Sequence, residues 1–327
     1  MSDDIDQRGD AWSRYWASGR THSCVGSFGD SYGGAIGEFW RQRFLALREG
    51  DRVLDLGTGN GPLPALLWEM RGPGVSIDAV DLASVAPAWY APSEHTSVSF
   101  HSRVRMEALP FADQAFDAVV SQFGAEYAER EGMLGEVVRV SQPGATIALV
   151  MHHAGSVLLH VGHEELRHHG RLAGADGLFA AARRVVPWIA RLRSGEDVGG
   201  NAAATLAREG YNRAMQDLAT AIEASPAPDL LVEARDSVHA LVAGTGMTDA
   251  GEALERIDAY AAALEGARLR TAELVAHALD RDALEAMAAV LRRLRPGLGV
   301  ELSELRQAEG VLAWVLLAAP DPEGRQA

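Results

Sequence analysis

Three glycines and one acid mark the part of the chain that is best suited to bind a ligand. The apolar run 52–57 ends at Gly57, and Gly59 and Gly61 follow within four residues. Because glycine has no Cβ, a turn built from these residues lets a nucleoside approach the backbone closely. Asp81 ends the next apolar run, twenty residues after Gly61. A carboxylate at that separation can receive the two hydroxyls of a ribose that lies over the turn. A glycine turn alone also ends strands for steric reasons, so it is the combination that predicts a nucleoside site.

Pro62 argues against a dinucleotide at this turn. The dinucleotide fingerprint is Gly-x-Gly-x-x-Gly, and its sixth position is Pro62. Proline suits the first turn of a helix but has no N–H to donate to a pyrophosphate. A nicotinamide-dependent dehydrogenase is therefore a distant alternative.

Two adjacent histidines are the preferred candidates for a general base. His152 and His153 directly follow the apolar run 145–151, at the edge where ligands collect in open α/β sheets. Imidazole titrates near neutral pH, which suits proton transfer. Adjacent side chains point in different directions, so we expect at most one to act. Tyr127 and Glu126 are secondary candidates, Tyr127 for catalysis and Glu126 also for binding the acceptor.

Histidines and glutamates crowd residues 160–169 without predicting a metal site. His160, Glu164 and His168 would share one face of a helix, which makes a divalent site geometrically conceivable. The span is long for one ion, and such a polar face is ordinarily solvated. We expect no metal.

Composition and charge limit the partners of the chain. Its 327 residues are 47% hydrophobic and 23% charged, as in a globular protein of roughly two domains. Forty-five acids against 30 bases give a net charge of −15, which disfavours nucleic acid. The single Cys24 permits no internal disulfide and fits a reducing compartment. Without a signal-like start or a membrane-length apolar run, we expect a cytoplasmic protein that contacts no membrane.

Alternating short apolar runs and helical segments predict a parallel α/β sheet. The predicted strands are 52–57, 75–81, 97–101, 115–121 and 145–151, followed late in the chain by Val300–Leu305 and Val311–Ala318. Asp282 and Glu285 predict a capped helix just before the last two strands.

The remaining segments predict three functional regions. Residues 154–281 are almost entirely helical in pattern and form an insertion after the fifth strand; we expect a cap that makes the acceptor pocket. Residues 35–153 and 282–327 form the α/β core. Residues 1–34 are rich in aromatic residues and are expected to form a lid, in which Tyr15, Trp16 and His22 contact the acceptor; equally, such aromatics can simply anchor the chain end. Exposed helical faces of the insertion could make a homodimer or pack on the sheet.

Ordered motifs across residues 50–152 resemble class I S-adenosylmethionine-dependent methyltransferases. They are the glycine turn 53–61, the strand ending in Asp81, and the segments 107–111, 116–124 and 139–144. The late strands match only in their order. The resemblance implies a Rossmann-like sheet of seven strands, mostly parallel, that binds S-adenosylmethionine across the carboxyl ends of its first two strands.

The resemblance also assigns roles to individual residues. Asp55 would lie near the amino group of the cofactor and Asp81 would hold the ribose hydroxyls. Arg105 stands where relatives commonly carry the acid that meets the adenine amino group, so residues 106–108 are expected to supply that contact. Gln122 and Phe123 would face the sulfonium and the acceptor. The predicted cofactor-binding residues are Asp55, Gly57, Thr58, Gly59, Asn60, Gly61, Asp81, Leu82, Met106, Glu107, Ala108, Gln122 and Phe123.

We therefore expect a methyltransferase, acting on an oxygen of a small molecule of the natural-product type. Methyl transfer from a sulfonium is an in-line displacement, so the protein chiefly has to hold the nucleophile near the methyl carbon in a dry site. A carboxyl methyltransferase acting on a small acid or a peptide C-terminus is an alternative that needs no base. A noncatalytic binding module with the same fold is an alternative of another class.

Overall fold

The computed structural model describes residues 2–17, 33–245, 249–308 and 310–320. Two compact units divide the chain, one formed by residues 1–159 and 277–327 and the other by residues 160–276. The predicted acceptor contact His22 and the single cysteine Cys24 lie outside the described residues.

A sheet of seven strands, within the described ranges, organises the first unit. Its order is β3-β2-β1-β4-β5-β7-β6, with β1 to β5 parallel and β7 antiparallel to both β5 and β6. The predicted fold, a mostly parallel sheet with a helical insertion after the fifth strand, is confirmed. The strands are β1 Arg52–Leu56, β2 Ser76–Asp81, β3 Val98–Ser102, β4 Phe116–Gln122, β5 Ser141–His152, β6 Leu298–Gln307 and β7 Gly310–Pro320.

Helices cover both faces of this sheet because its strands are apolar on both sides. Neighbouring residues of one strand point to opposite faces, so Val119 joins one core cluster and Val120 the other. Trp40 and Phe44 are fully buried beside Val120 in the second cluster. The α-helices that lie entirely in this unit, within the described residues, are α1 Ser2–Trp16, α2 Gly34–Leu45, α3 Pro62–Arg71, α4 Arg130–Val140 and α10 Arg281–Leu294.

The start of α10 differs from the prediction. Asp280 caps this helix, and its Oδ1 accepts a hydrogen bond from the N–H of Ala283 at 2.8 Å. The predicted capping pair, Asp282 with Glu285, was wrong because Asp282 already lies inside the first turn. Glu285 instead forms an ion pair with Arg281.

The second unit is built from helices. An apolar core that includes Phe179, Leu218, Val238 and Ile257 joins them. The inserted helices are α5 Val157–Ala173, α6 Leu178–Arg193, α7 Ala202–Ala224, α8 Asp229–Gly244 and α9 Ala250–His277. The first residues of α5 and the last residue of α9 belong to the first unit.

Neither a metal cluster nor a membrane-crossing helix is found in the described parts of the chain. His168 of the histidine-rich segment is bound through Nε2 to the hydroxyl of Ser225 at 3.1 Å. No group of three or more His, Cys, Asp or Glu among the residues with described positions could hold a metal ion. In the same ranges, every helix is too short or too polar to cross a membrane.

Candidate cofactor and acceptor site

The turn after β1 needs glycine at three positions. Gly57, Gly59 and Gly61 have φ angles of 69°, 54° and 73°, in the left-handed region that side chains disfavour. A Cβ on Gly57 would lie 2.9 Å from the Cα of Gly124. Close packing therefore adds to the conformational reason for glycine. The turn passes over the carboxyl end of β1, where the cofactor is predicted to bind.

Asp81, at the end of β2, shapes this turn directly. Its Oδ2 accepts a hydrogen bond from the N–H of Gly59 at 2.8 Å, and its Oδ1 accepts one from the N–H of Ala83 at 2.7 Å. A carboxylate has about four acceptor positions, so both oxygens can still receive a ribose hydroxyl. Burial raises the pKa of Asp81 to about 6. The structure thus gives this residue a task in ordering the turn that the sequence did not reveal.

Asp55 is a second buried acid beside the first. Only 2% of Asp55 is exposed. Burial raises its pKa to about 8, and the nearby charge of Asp81 adds to the rise. Within the described chain, no cationic side chain contributes to the pKa shift of either carboxyl. Buried charges are ordinarily paired, so the cationic end of a methionine moiety fits Asp55.

The other predicted cofactor contacts have different neighbours. The methyl of Met106 packs against Gly57. Glu107 accepts a hydrogen bond from the N–H of Glu129 at 2.9 Å and pairs with Arg105 at 3.5 Å. Thr58 and Asn60 are buried residues of the turn itself, and the carbonyl of Thr58 accepts a hydrogen bond from the N–H of Gly61 at 2.9 Å. Leu82 directly follows Asp81, and the N–H of Ala108 donates to the carbonyl of Arg105 at 3.2 Å.

The first helix brings aromatic side chains to the glycine turn. The indole of Trp16 packs so closely on Gly59 that a Cβ there would lie 2.6 Å from the ring. Asn60 Nδ2 donates to the carbonyl of Trp16 at 2.9 Å. Tyr15 is buried beside Trp16, with ring centroids 4.9 Å apart. Trp16 was predicted to contact the acceptor, but its observed partner is the turn that is predicted to hold the cofactor.

A hydrogen bond missed by the sequence reasoning fixes Gln122. Trp40 Nε1 donates to Gln122 Oε1 at 2.6 Å, and both residues are buried. An indole N–H can only donate, so the amide oxygen must face Trp40. Gln122 Nε2 has no hydrogen-bond partner among the described residues. The two residues are 82 positions apart, and no local sequence signal pairs them.

Phe123 and Glu126 surround the buried His152 at the ends of β4 and β5. The rings of Phe123 and His152 stack with centroids 4.1 Å apart and planes 2° apart. Glu126 Oε1 accepts a hydrogen bond from the backbone N–H of His152 at 2.8 Å. Burial lowers the pKa of His152 to about 3 and raises the pKa of Glu126 to about 7. These shifts favour Glu126, rather than the predicted His152, as a proton acceptor at neutral pH.

His153 has different neighbours from His152. Its ring stacks on Trp314, with centroids 4.1 Å apart, and its Nε2 lies 3.7 Å from Glu304 Oε1. The structure therefore does not bring His153 to the predicted site, because successive residues at a strand end point to opposite sides. Tyr127 does lie at the site, 6.3 Å from the ring of His152 between centroids.

Residues 54–149 match the family model described as a methyltransferase domain. This part of the chain, about the first half of the α/β core, is therefore similar to methyltransferase domains. The matched residues include the glycine turn, both buried acids and the end of β4. The two buried acids and the three left-handed glycines of this segment fit S-adenosylmethionine as a cofactor.

Similarity to individual proteins is confined to part of each chain. The demethylmenaquinone methyltransferase of Thermus thermophilus is 38% identical over 120 residues, which cover 34% of this chain and 53% of that protein. The ubiquinone/menaquinone biosynthesis C-methyltransferase UbiE of Geobacter sulfurreducens is 30% identical over 120 residues, covering 34% and 46%. This chain thus spans about half the length of these relatives. A SAM-dependent methyltransferase structure from Aquifex aeolicus is 26% identical, with a TM-score of 0.33 over 37% of this chain and 65% of that one.

Proposed function

We propose that this protein transfers a methyl group from S-adenosylmethionine to an oxygen atom of a small organic molecule of the natural-product type. The observation that carries the proposal is the pair of buried acids, Asp55 and Asp81, beside a turn of three left-handed glycines. S-adenosylmethionine, when bound, supplies an electrophilic methyl group on a sulfonium. Asp55 attracts its ammonium group, and Asp81 accepts from its ribose hydroxyls while holding Gly59 in place.

The choice of oxygen rests on the groups beyond β4 and β5. A hydroxyl has to lose a proton as it is methylated, and a positioned side chain can take it. Glu126, Tyr127 and His152 lie together at these strand ends. A carboxylate acceptor on a small acid or a peptide C-terminus would use no such group. Carbon is the second candidate atom, because one of the relatives is named as a C-methyltransferase.

A calorimetric titration of the full chain with S-adenosylmethionine tests the cofactor half of the proposal. We expect saturable binding that is weakened by Asp55→Asn. A wild-type chain that does not bind the cofactor would overturn the proposal.

Transfer of a labelled methyl group to a panel of phenols, carboxylic acids and carbon nucleophiles tests the acceptor half. Aryl ethers resist mild alkali, whereas methyl esters release labelled methanol, so alkali treatment separates oxygen methylation of hydroxyls from that of carboxylates. Proton NMR of the product separates methyl ethers from methylated carbon. Cofactor binding without methyl transfer to any compound of the panel would favour the alternative that the protein is a noncatalytic binding module.

A further inference from the structure

Glu126 is a buried carboxylate with one oxygen that the fold does not use. It lies in the single turn Ala125–Tyr127 just beyond β4 and is 1% exposed. Its Oε1 accepts from the N–H of His152, whereas Oε2 has no hydrogen-bond partner among the described residues. An isolated buried charge is costly, and one backbone hydrogen bond offsets only part of that cost.

A purely structural task would not require an ionisable group at this position. The carbonyl oxygen of a glutamine would accept from the His152 N–H equally well. The acid therefore adds one thing that an amide lacks, an oxygen that can take up a proton. A hydroxyl donating to Oε2 would supply the missing partner.

Gln122 offers a complementary group on the face of the sheet to which His152 points. Because Trp40 occupies its Oε1, the Nε2 group faces elsewhere with two protons to donate and no partner in the described chain. Gln122 is paired with Val150 in the sheet, two residues before His152 on β5. Side chains of Gln122 and His152 therefore lie on the same face of the sheet. A buried unpartnered donor selects for a ligand that accepts from it.

We propose that Glu126 takes the proton from the hydroxyl of the methyl acceptor and that Gln122 Nε2 donates to a second oxygen of the same molecule. The acceptor is then a phenol or enol with a neighbouring oxygen. This inference rests on the proposed function. The hydroxyl oxygen bonds to the methyl carbon, the carbon–sulfur bond breaks with its electron pair going to sulfur, and the hydroxyl proton passes to Glu126 Oε2. The products are a methyl ether and S-adenosylhomocysteine, and the proton then leaves Glu126 for solvent.

The electrostatic surroundings of Glu126 suit this role. Burial raises its pKa to about 7, near the pH at which a general base is most effective. Among the described residues, the ring of His152 faces it, with Nε2 4.0 Å from Oε1, and Tyr127 follows it in the turn. His277 packs on the ring of Tyr127. Burial keeps His152 neutral, with its pKa lowered to about 3.

Carbon-13 NMR of the full chain labelled at the glutamate carboxyls gives a direct test. With S-adenosylhomocysteine present, we expect one carboxyl that titrates near neutral pH, disappears in Glu126→Gln and persists in the control Glu131→Gln, an exposed residue of α4. Catechol, which has a hydroxyl beside a second oxygen, should shift that titration, and Gln122→Leu should weaken catechol binding about tenfold or more. A Glu126 signal that catechol leaves unmoved, whether for lack of binding or of contact, overturns the inference.

Kinetics with S-adenosylmethionine and catechol separate this inference from the proposed function. Glu126→Gln should lower kcat roughly 100- to 10,000-fold and remove the rise in rate across neutral pH, while calorimetry finds its cofactor affinity unchanged. Equal methylation rates and pH profiles for the wild type and Glu126→Gln would refute the role of Glu126 as the base but leave the proposed function standing. Loss of cofactor binding by the wild type would instead refute the proposed function. If catechol is not methylated, the NMR titration decides.

Discussion

Asp81 is assigned two tasks, ordering the glycine turn and holding the ribose. A double cycle, in which the protein and the ligand are each changed alone and then together, separates the two tasks. The perturbations are Asp81→Asn in the protein and removal of both ribose hydroxyls from S-adenosylhomocysteine. Asparagine keeps one oxygen but replaces the other with an amide that cannot accept. Either Gly59 or Ala83 then loses its hydrogen-bond acceptor. The substitution alone therefore weakens binding for two reasons at once.

The hydroxyl contact is measured by the coupling between the two changes. A hydrogen bond to a charged group contributes about 1.5–3 kcal/mol, and about 1.4 kcal/mol is a tenfold change in affinity. Removing the hydroxyls should thus weaken binding to the wild type roughly 10- to 150-fold more than binding to Asp81→Asn. The effect of Asp81→Asn on the order of the turn weakens binding of both ligands equally, so it cancels when the two affinity ratios are compared.

Isothermal titration calorimetry at about pH 8, above the raised pKa of Asp81, provides the four affinities. Asp78→Asn is the matched control, because Asp78 lies on the same strand but binds His101 at 2.8 Å. We expect the control to show no coupling. Additive effects of Asp81→Asn and hydroxyl removal, within about 0.5 kcal/mol, would refute a ribose contact by Asp81.

Three further predictions follow from individual contacts. Arg139 binds the carbonyls of residues 109 and 111 and the carboxylate of Glu136, so Arg139→Met should lower the free energy of unfolding in urea by about 2–3 kcal/mol, and Arg139→Lys should not restore it if the forked geometry matters. Burial raises the pKa of Asp55 from 3.8 to about 8, so between these pH values Asp55 is ionised in the unfolded chain but protonated in the folded one. The free energy of unfolding should therefore fall as pH rises from about 4 to 8, and Asp55→Asn should flatten this fall in urea titrations. Trp40→Phe frees the Gln122 amide and should cost about 1–3 kcal/mol of stability together with weaker catechol binding by calorimetry; unchanged binding would contradict the positioning role.

The sheet and the glycine turn were predictable because their signals are local. Each strand of the core is a short apolar run, and the backbone angles of Gly57, Gly59 and Gly61 are those that only glycine adopts easily. The capping error arose from an equally local ambiguity. Asp280 and Asp282 both precede an apolar helical pattern, and only the backbone geometry decides which one accepts from Ala283.

The contacts that define the candidate site could not be predicted, because they join distant segments. The packing of Trp16 on Gly59 and the hydrogen bond from Trp40 to Gln122 depend on how α1 and α2 lie against the sheet. No residue pattern near either tryptophan specifies its partner. Arg139 is an intermediate case, since its segment was recognised but its link to the loop 109–111 appears only in the fold.

Burial weighs against histidine as the base at this site for a general reason. Desolvation disfavours whichever form of a group is charged. It therefore lowers the pKa of a buried imidazole and raises that of a buried carboxyl, moving His152 away from neutrality and Glu126 towards it. An exposed histidine and an exposed glutamate would rank in the opposite order as bases at neutral pH. A sequence shows the residue types but not this burial, so a base chosen by its ordinary pKa is unreliable where the site is dry. If Glu126 were opened to solvent by a cavity-forming substitution of Phe123, its pKa should fall and the advantage over His152 should shrink.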